Sequence, residues 1–173
     1  LREGLLYSDG SVLNAARFAY SLMRNIDPVT AGEYASITDE ISGAPEWRGC
    51  GEDTAKCDEA KAAVAESIKA SHADGADCTG YDDAACNMLT LTFSKPAPYF
   101  HTVASLWVTY PAKEELITAG GEVWWQDAAN HIGNGPFSYE SLEPSVKSRF
   151  VPNTNYREGD AQYSIEYSYI TDA

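Results

Sequence analysis

The chain has 173 residues, which suits one domain or part of a larger one, and 44% of them are hydrophobic, enough to build a core. Twelve basic against twenty-six acidic residues give a net charge of −14, which repels nucleic-acid phosphates and anionic membrane surfaces. No apolar run approaches the roughly 18 residues that a membrane-spanning helix needs. We therefore exclude general disorder, expect no nucleic-acid partner and interpret the acidic excess as a solubilising surface.

The first residues predict a strand-like segment followed by a helix. Residues 1–11 are half apolar and contain a Ser-Asp-Gly turn signal. Either Ser11 or Asn14 can cap a helix that runs to about Asn25, where an Asp-Pro pair ends it. Its apolar residues recur with a helical period, as expected for core packing. Because the start lacks both an initiator Met and the features of a signal peptide, we expect a piece excised from a longer protein.

The region from residue 34 to residue 73 combines weak helical signals with a polar insertion. A weak segment spans 34–41, and the polar, cysteine-containing residues 45–60 predict an inserted surface loop. Asp58 is predicted to start a helix that reaches Ile68. Residues 67–73 are also compatible with the first strand of a hairpin, and periodicity leaves this boundary open.

The second half of the chain predicts strands and short helices in mixed order. Residues 88–94 alternate apolar and polar side chains, which indicates a half-buried strand, and residues 99–110 predict a segment that is helical at first. Pro111 fits the first turn of a further helix that stops at Gly120-Gly121. Three further strands are predicted at 137–142, 146–151 and 163–170. This order indicates a mixed α/β fold and not a regular βαβ series.

Four cysteines lie in two close pairs, and each pair encloses a polar stretch rich in turn-forming residues. They are Cys50, Cys57, Cys78 and Cys86. Four cysteines allow three pairings, and we favour Cys50–Cys57 with Cys78–Cys86 because local closure is easiest sterically. Free thiols and a zinc site are the alternatives, although neither spacing is the short one of a zinc knuckle. Disulfides would place the protein outside the cytoplasm.

The sequence offers no motif for catalysis or metal binding. The three histidines lie far apart and lack a metal-binding spacing: His72, His101 and His131. No Gly-x-Ser-x-Gly motif occurs, and the glycine-containing residues 133–135 lack the Lys-Ser/Thr pair of a phosphate-binding loop. We therefore expect no catalytic residue, no metal and no cofactor.

Several short motifs resemble one known family when they are taken in order. They are Leu-Arg-x-Gly with Tyr-Ser-Asp-Gly in residues 1–10, a Thr-Leu strand followed by Pro-x-Pro-x-Phe in 89–100, Gly-x-x-Trp-Trp in 121–125, Ile-Gly-Asn-Gly-Pro-Phe in 132–137, and Val-x-Asn-x-x-Tyr in 151–156. This order and spacing are similar to those of extracellular solute-binding proteins of the oligopeptide/dipeptide/nickel class, family 5, which serve ABC importers. Residues 45–60 and 76–86 depart from the pattern, since the paired cysteines are not a family feature.

The resemblance implies a fold and a place in a larger protein. Family members fold into two lobes around a cleft, as type II periplasmic binding proteins, and are about three times as long as this chain. We expect residues 1–173 to be a single fragment of the first lobe, with a mixed sheet and surrounding helices. Residues of about 1–130 would form the extra α/β subdomain of that lobe, and residues of about 131–173 would start the return into the main lobe.

The resemblance also implies the ligand contacts and partners. Tyr34 and the region of Ser105, Leu106 and Trp107 correspond to stretches that reach the ligand cleft, with core packing as the competing interpretation. The expected partners are a peptide or other small solute and, for the full-length protein, an ABC permease. We expect a monomeric fragment of a periplasmic or cell-surface protein, for which a lipid anchor is one option.

Two other functions stay open at this point. One is a secreted hydrolase that uses scattered carboxylates such as Glu33, Asp39 or Glu40. The other is a sensor or adhesion module built on the same lobe. Binding without turnover distinguishes solute capture from hydrolysis, and a neighbouring permease gene distinguishes transport from sensing.

Overall fold

A computed structural model describes residues 1–170 of the chain. The chain divides into two compact units. The first contains Leu1 and Asn14–Pro111, and the second contains Arg2–Leu13 and the residues from Ala112 onward. Both units contain helical segments and an antiparallel sheet, so the predicted mixed α/β class is confirmed. No helix within residues 1–170 has both the length and the apolar character needed to cross a membrane.

The first unit contains four α-helices and a two-stranded sheet. Its elements are α1 Ala15–Ile26, a 3-10 helix Ala35–Thr38, α2 Ala44–Arg48, α3 Thr54–Ser67, β1 Ile68–Ser71, β2 Met88–Leu91, α4 Phe100–Val103 and a 3-10 helix Trp107–Thr109. The core is built from the apolar face of α1, from α2 and α3, and from the residues after β2. Its largest members include Leu22, Ile26, Ile41, Trp47, Val64 and Phe100.

Helix α1 agrees with the sequence prediction at both ends. Asn14 has an extended backbone, and its side chain accepts a hydrogen bond from the Arg17 backbone N–H, so Asn14 is the N-cap. The helix ends at Ile26, and Leu22 and Ile26 are buried on its apolar face. Burial of this face against the rest of the core stabilises a helix that would be marginal alone.

Residues 45–60 are not the continuous surface loop predicted from their polarity. Pro45 lies in the first turn of α2, where its missing N–H costs nothing, and Trp47 of the same helix is buried. Helix α3 starts at Thr54 and not at Asp58, because the Asp53 side chain accepts a hydrogen bond from the Lys56 backbone N–H. The local capping signal therefore lies five residues earlier than we predicted.

The predicted strand at residues 88–94 exists but changes partner along its length. Residues 88–91 form β2 and pair antiparallel with β1, with Ala70 opposite Leu89. Beyond β2 the chain pairs with residues 40–42, since Ile41 bridges Phe93 and the Ser42 N–H donates to the Thr92 carbonyl at 2.9 Å. Residues 67–73 contain the hairpin strand β1, which decides the boundary that periodicity left open.

Both predicted disulfides are present in the first unit. Cys50 is bonded to Cys57 and Cys78 to Cys86. The first disulfide links the residues after α2 to the first turn of α3. The second closes a loop that follows the β1 strand and precedes β2.

The second unit contains a three-stranded antiparallel meander in the order β3-β4-β5. Its elements are α5 Glu114–Gly120, 3-10 helices Gly121–Gln126 and Ala128–Asn130, and strands β3 Phe137–Glu143, β4 Lys147–Pro152 and β5 Ile165–Ser168. Aromatic side chains pack across the strands: the rings of Tyr139 and Phe150 are 4.5 Å apart and those of Phe150 and Tyr167 are 5.8 Å apart. All three strands lie where the sequence predicted them.

Two further predictions are wrong. Residues 1–11 form no strand; their pairing is the isolated bridge between Leu6 and Val12. Pro111 lies outside α5, because Lys113 still has an extended backbone (φ −94°, ψ 110°) and the helix begins after it. In residues 1–11 the Ser-Asp-Gly turn reverses the chain, because the Tyr7 N–H donates to the Ser11 carbonyl at 2.9 Å.

Candidate ligand-binding site

The structure brings together two candidate residues that are distant in the sequence. The rings of Tyr34 and Trp107 lie 5.5 Å apart, centroid to centroid, at an angle of 86°. This edge-to-face geometry is the favourable one for two aromatic rings. Both side chains remain solvent-accessible, with 46% of Tyr34 and 58% of Trp107 exposed, so core packing does not account for the pair.

Tyr34 is positioned by the turn that follows α1. It precedes the 3-10 helix Ala35–Thr38, and its carbonyl accepts a hydrogen bond from the Ile37 N–H at 3.1 Å. The buried Thr38 hydroxyl donates to the Ala35 carbonyl at 2.7 Å and accepts a hydrogen bond from the Asn25 amide of α1 at 3.4 Å. The backbone on the C-terminal side of Tyr34 is therefore tied to α1, while its ring is left open to solvent.

Trp107 is positioned by a short, internally bonded segment. It starts the 3-10 helix Trp107–Thr109, in which the buried Thr109 hydroxyl lies 3.0 Å from the Ala104 carbonyl and 2.8 Å from the Leu106 carbonyl. Ser105 is exposed, and its hydroxyl donates to the Thr102 carbonyl at 2.7 Å. Leu106, which precedes Trp107, is half-buried.

Helix α1 is the common support of the two aromatic residues. It packs against both the 3-10 helix after Tyr34 and the 3-10 helix that starts at Trp107. The pair therefore presents two fixed aromatic rings to solvent, which suits apolar contact with a ligand side chain or stacking on a planar group. Of the four cleft candidates, the structure brings Tyr34 and Trp107 together, whereas Ser105 and Leu106 flank the tryptophan along the chain.

Two of the three carboxylates considered for a hydrolase have basic partners. Asp39 accepts hydrogen bonds from the Arg48 guanidinium at 3.2 and 2.5 Å. Glu40 accepts a hydrogen bond from the Tyr99 hydroxyl and lies 3.4 Å from the Lys95 ammonium. The Tyr99 hydrogen bond, followed by Lys95, lowers the pKa of Glu40, and Glu40 in turn raises the pKa of Tyr99. Glu40 is therefore held in its ionised form, which does not suit a general acid.

The histidines are used in local contacts. His72 Nε2 lies 2.7 Å from Asp83, His101 Nδ1 lies 2.9 Å from the Pro98 carbonyl, and the His131 ring stacks on Tyr139 at 4.7 Å. Within residues 1–170 no group of three or more His, Cys, Asp or Glu side chains is arranged to hold a metal ion.

An ion pair in the second unit was missed at the sequence level. The Lys113 ammonium is nearly buried and lies 2.5 Å from Asp9, 3.1 Å from the Ser11 hydroxyl and 5.6 Å from the Tyr7 ring centroid. Burial raises the pKa of Asp9, and the hydrogen bonds from Lys113 and Ser11 outweigh it, so the pKa is lowered. The available signals were the Ser-Asp-Gly turn and the residues that follow Pro111, and the sequence does not reveal that these two segments meet.

The turn and loop motifs of the second unit are linked by hydrogen bonds to backbone carbonyls, two of them from asparagine side chains. The Ser8 N–H donates to the Gly133 carbonyl at 2.8 Å, and the Asn155 amide donates to the Ser8 carbonyl at 3.1 Å. The buried Asn153 amide donates to the Gly135 carbonyl at 2.7 Å. Three of the short motifs of the sequence are thus a single hydrogen-bonded cluster.

Solved structures place this fold among the type II periplasmic binding proteins. The peptide-bound OppA of Listeria monocytogenes has a TM-score of 0.75 and 25% sequence identity, and the match covers 98% of this chain and 30% of that one. The agreement extends over both units of the chain, which identifies the fold class as the one predicted.

The sequence matches the bacterial extracellular solute-binding proteins, family 5 (middle), over residues 1–173, and the chain belongs to this family. The dipeptide-binding protein of Lactococcus lactis is 27% identical over 179 residues, which cover 100% of this chain and 28% of that protein. The probable deoxycholate-binding periplasmic protein YgiS of Escherichia coli is 28% identical, over 95% of this chain and 26% of that protein. The chain thus spans about a quarter of the length of the curated relatives it matches.

Proposed function

We propose that residues 1–173 are part of an extracytoplasmic binding protein that captures peptides or similar small solutes for uptake through an ABC permease. Family membership over the whole chain carries this proposal. One relative is named for dipeptides and another for deoxycholate, which supports a small solute with apolar groups as the ligand class. A protein that closes two lobes around a solute and releases it unchanged needs no catalytic group.

The domain assignment is part of the same proposal. Residues of about 1–130 would be the extra α/β subdomain of the first lobe, and residues of about 131–173 the start of the return into the main lobe. The chain covers 28% of one relative and 30% of one solved structure, and these fractions support the assignment to a fragment of one lobe. Two disulfides and the family's extracellular members support a periplasmic or cell-surface location, where a lipid anchor would retain the protein.

Within this function, Tyr34 and Trp107 are proposed to form an apolar contact surface for the solute. Their exposure and edge-to-face packing support this role, because the rings are accessible and already fixed before a ligand arrives. Ser105 and Leu106 would shape the edge of the same surface. When a rigid aromatic residue that anchors a ligand is truncated to alanine, the loss of binding free energy typically exceeds about 1 kcal/mol.

Ligand binding by the full-length protein tests the assignment of these residues. We expect Trp107→Ala and Tyr34→Ala each to weaken peptide binding about tenfold in calorimetry, which corresponds to about 1.4 kcal/mol. Trp125→Ala is the matched control, since Trp125 is similarly exposed (53%) but lies in the other unit. Unchanged affinity in both test variants would contradict the assignment.

The isolated chain provides a second test. We expect residues 1–173 alone to bind peptides weakly or not at all, because a concave site assembled from two lobes is incomplete in one lobe. Calorimetry with a peptide library measures this directly. Submicromolar binding by the isolated chain would show that its own residues are sufficient for peptide binding. It would contradict the proposal that residues 1–173 hold only part of the site.

A further inference from the structure

The loop closed by Cys78 and Cys86 contains a second, noncovalent closure. The Asp83 carboxylate lies 2.8 Å from the Thr79 backbone nitrogen, 3.0 Å from the Thr79 hydroxyl and 3.1 Å from the Ala85 backbone nitrogen, and it accepts a hydrogen bond from each. Thr79 directly follows one cysteine, and Ala85 directly precedes the other. One carboxylate therefore joins the two backbone positions that lie just inside the disulfide.

The carboxylate is held in its ionised form by these contacts. The backbone N–H of Thr79, followed by His72 at 2.7 Å, holds the pKa of Asp83 far below its usual range. Hydrogen bonds to an ionised acceptor are about twice as strong as neutral ones. The closure is therefore present throughout the pH range in which cysteine thiols are oxidised.

The closed loop is also held against α1. The Asn14 amide donates to the carbonyls of Gly80 at 2.9 Å and Asp83 at 3.1 Å, and the Ala15 N–H donates to the Cys86 carbonyl at 2.8 Å. The Arg17 guanidinium lies 4.0 Å from the centroid of the Tyr81 ring. These contacts are made by backbone carbonyls and by Tyr81, so none of them needs the sulfur–sulfur bond.

The other disulfide uses an aspartate differently and provides an internal reference. Between Cys50 and Cys57, the Asp53 side chain accepts a hydrogen bond from the Lys56 backbone N–H at 3.1 Å and caps α3. Its carboxylate supports the start of a helix, whereas that of Asp83 spans the loop from one cysteine neighbour to the other.

We propose that Asp83 is the positioning residue for the Cys78–Cys86 disulfide, closing the loop in the dithiol form and holding the two thiols within reach of each other. Oxidation by a disulfide such as oxidised glutathione then proceeds in two exchanges. One cysteine thiolate attacks glutathione disulfide and releases one glutathione thiolate, and the second cysteine thiolate attacks the protein sulfur of the mixed disulfide and releases the other. The two cysteines lose two electrons, which reduce glutathione disulfide to two glutathione thiolates, and the two thiol protons pass to solvent.

The experiment equilibrates the chain in glutathione redox buffers, traps free thiols by alkylation and measures each cysteine pair by mass spectrometry. The equilibrium constant for forming each protein disulfide from glutathione disulfide gives the effective concentration of one cysteine thiol towards the other. We expect Asp83→Asn to lower this effective concentration about tenfold for Cys78–Cys86, because an amide cannot accept the same set of charge-assisted hydrogen bonds. Cys50–Cys57 in the same molecules should change less than twofold. Asp82→Asn is the matched control, since it removes the same charge from the adjacent, exposed position of the same loop.

A smaller change keeps the proposal testable if Asp83→Asn folds poorly. Thr79→Val removes the hydroxyl donor but retains the backbone N–H, and we expect a decrease of about threefold confined to Cys78–Cys86. An unchanged effective concentration for that pair in both variants overturns the proposal. A parallel decrease of both pairs also overturns it, because general destabilisation of the unit would then explain the effect.

Discussion

At the scale of single residues, Lys113 carries the clearest prediction for stability. It is a nearly buried ammonium with Asp9 and the Ser11 hydroxyl as partners. We expect Lys113→Met to lower the free energy of unfolding by about 2 kcal/mol at pH 7, because Asp9 then loses its charged partner in a partly buried position. Urea denaturation measures the change. Lys147→Met is the control, since its more exposed ion pair with Glu143 at 3.5 Å should contribute less than about 0.5 kcal/mol.

The same pair predicts a pH dependence of stability. The pKa of Asp9 is lowered in the folded chain, so its contribution is complete above the unfolded value of about 3.9 and is lost as the pH falls through the lowered folded value. We expect Lys113→Met to flatten the dependence of unfolding free energy on pH in the acid range below 4. A slope equal to that of the wild type would show that other carboxylates cause the acid sensitivity.

At the scale of elements, the N-terminus of α1 depends on both the oxygen and the nitrogen of the Asn14 side-chain amide. Asn14 Oδ1 caps the helix at the Arg17 N–H, and its Nδ2 donates to two carbonyls of the disulfide loop. Asn14→Asp keeps a capping oxygen but directs a carboxylate oxygen at those carbonyls. We expect a loss of about 2 kcal/mol at pH 7, with partial recovery as the pH falls and the protonated acid becomes a donor.

Two variants provide the comparison for this helix start. Asn14→Ala should lose a similar amount with no recovery at low pH, because it has no group to protonate. Asp53→Asn at the exposed start of α3 should change stability by less than about 0.5 kcal/mol, since asparagine caps as well as aspartate. Equal pH profiles for Asn14→Asp and Asn14→Ala would contradict the role of the amide donor.

The elements also show which local signals suffice for prediction. Helix α1 and strands β3 to β5 could be predicted because their periodicity and caps lie within a few neighbouring residues. Residues 45–60 could not, because their polarity suggested a loop while buried Trp47 and the Asp53 cap support helices. Burial of a single large side chain depends on what packs against it, and that is not a local property.

At the scale of the whole molecule, the two disulfides determine how the chain responds to reductant. We expect a mass lower by four hydrogens than that of the reduced chain when no reductant is present. Reduction should lower the free energy of unfolding by about 2.5 kcal/mol per disulfide for loops of this length. Parallel urea titrations with and without reductant measure the loss. Four alkylatable thiols in the untreated protein would contradict both the pairing and the extracytoplasmic location inferred from it.

The sequence by itself determined the family, the mixed α/β class, the main helix and strands, and the pairing of the cysteines, because each of these depends on motifs or contacts between near neighbours. The tertiary structure alone decided that Tyr34 meets Trp107, that Lys113 pairs with Asp9 and that Asp83 closes the second disulfide loop with the help of His72. The first two pairs join residues that are distant in the sequence, so their meeting depends on how separate segments of the same unit pack together. In the third case the spacing is short, but the orientation of one carboxylate depends on the fold of the loop around it.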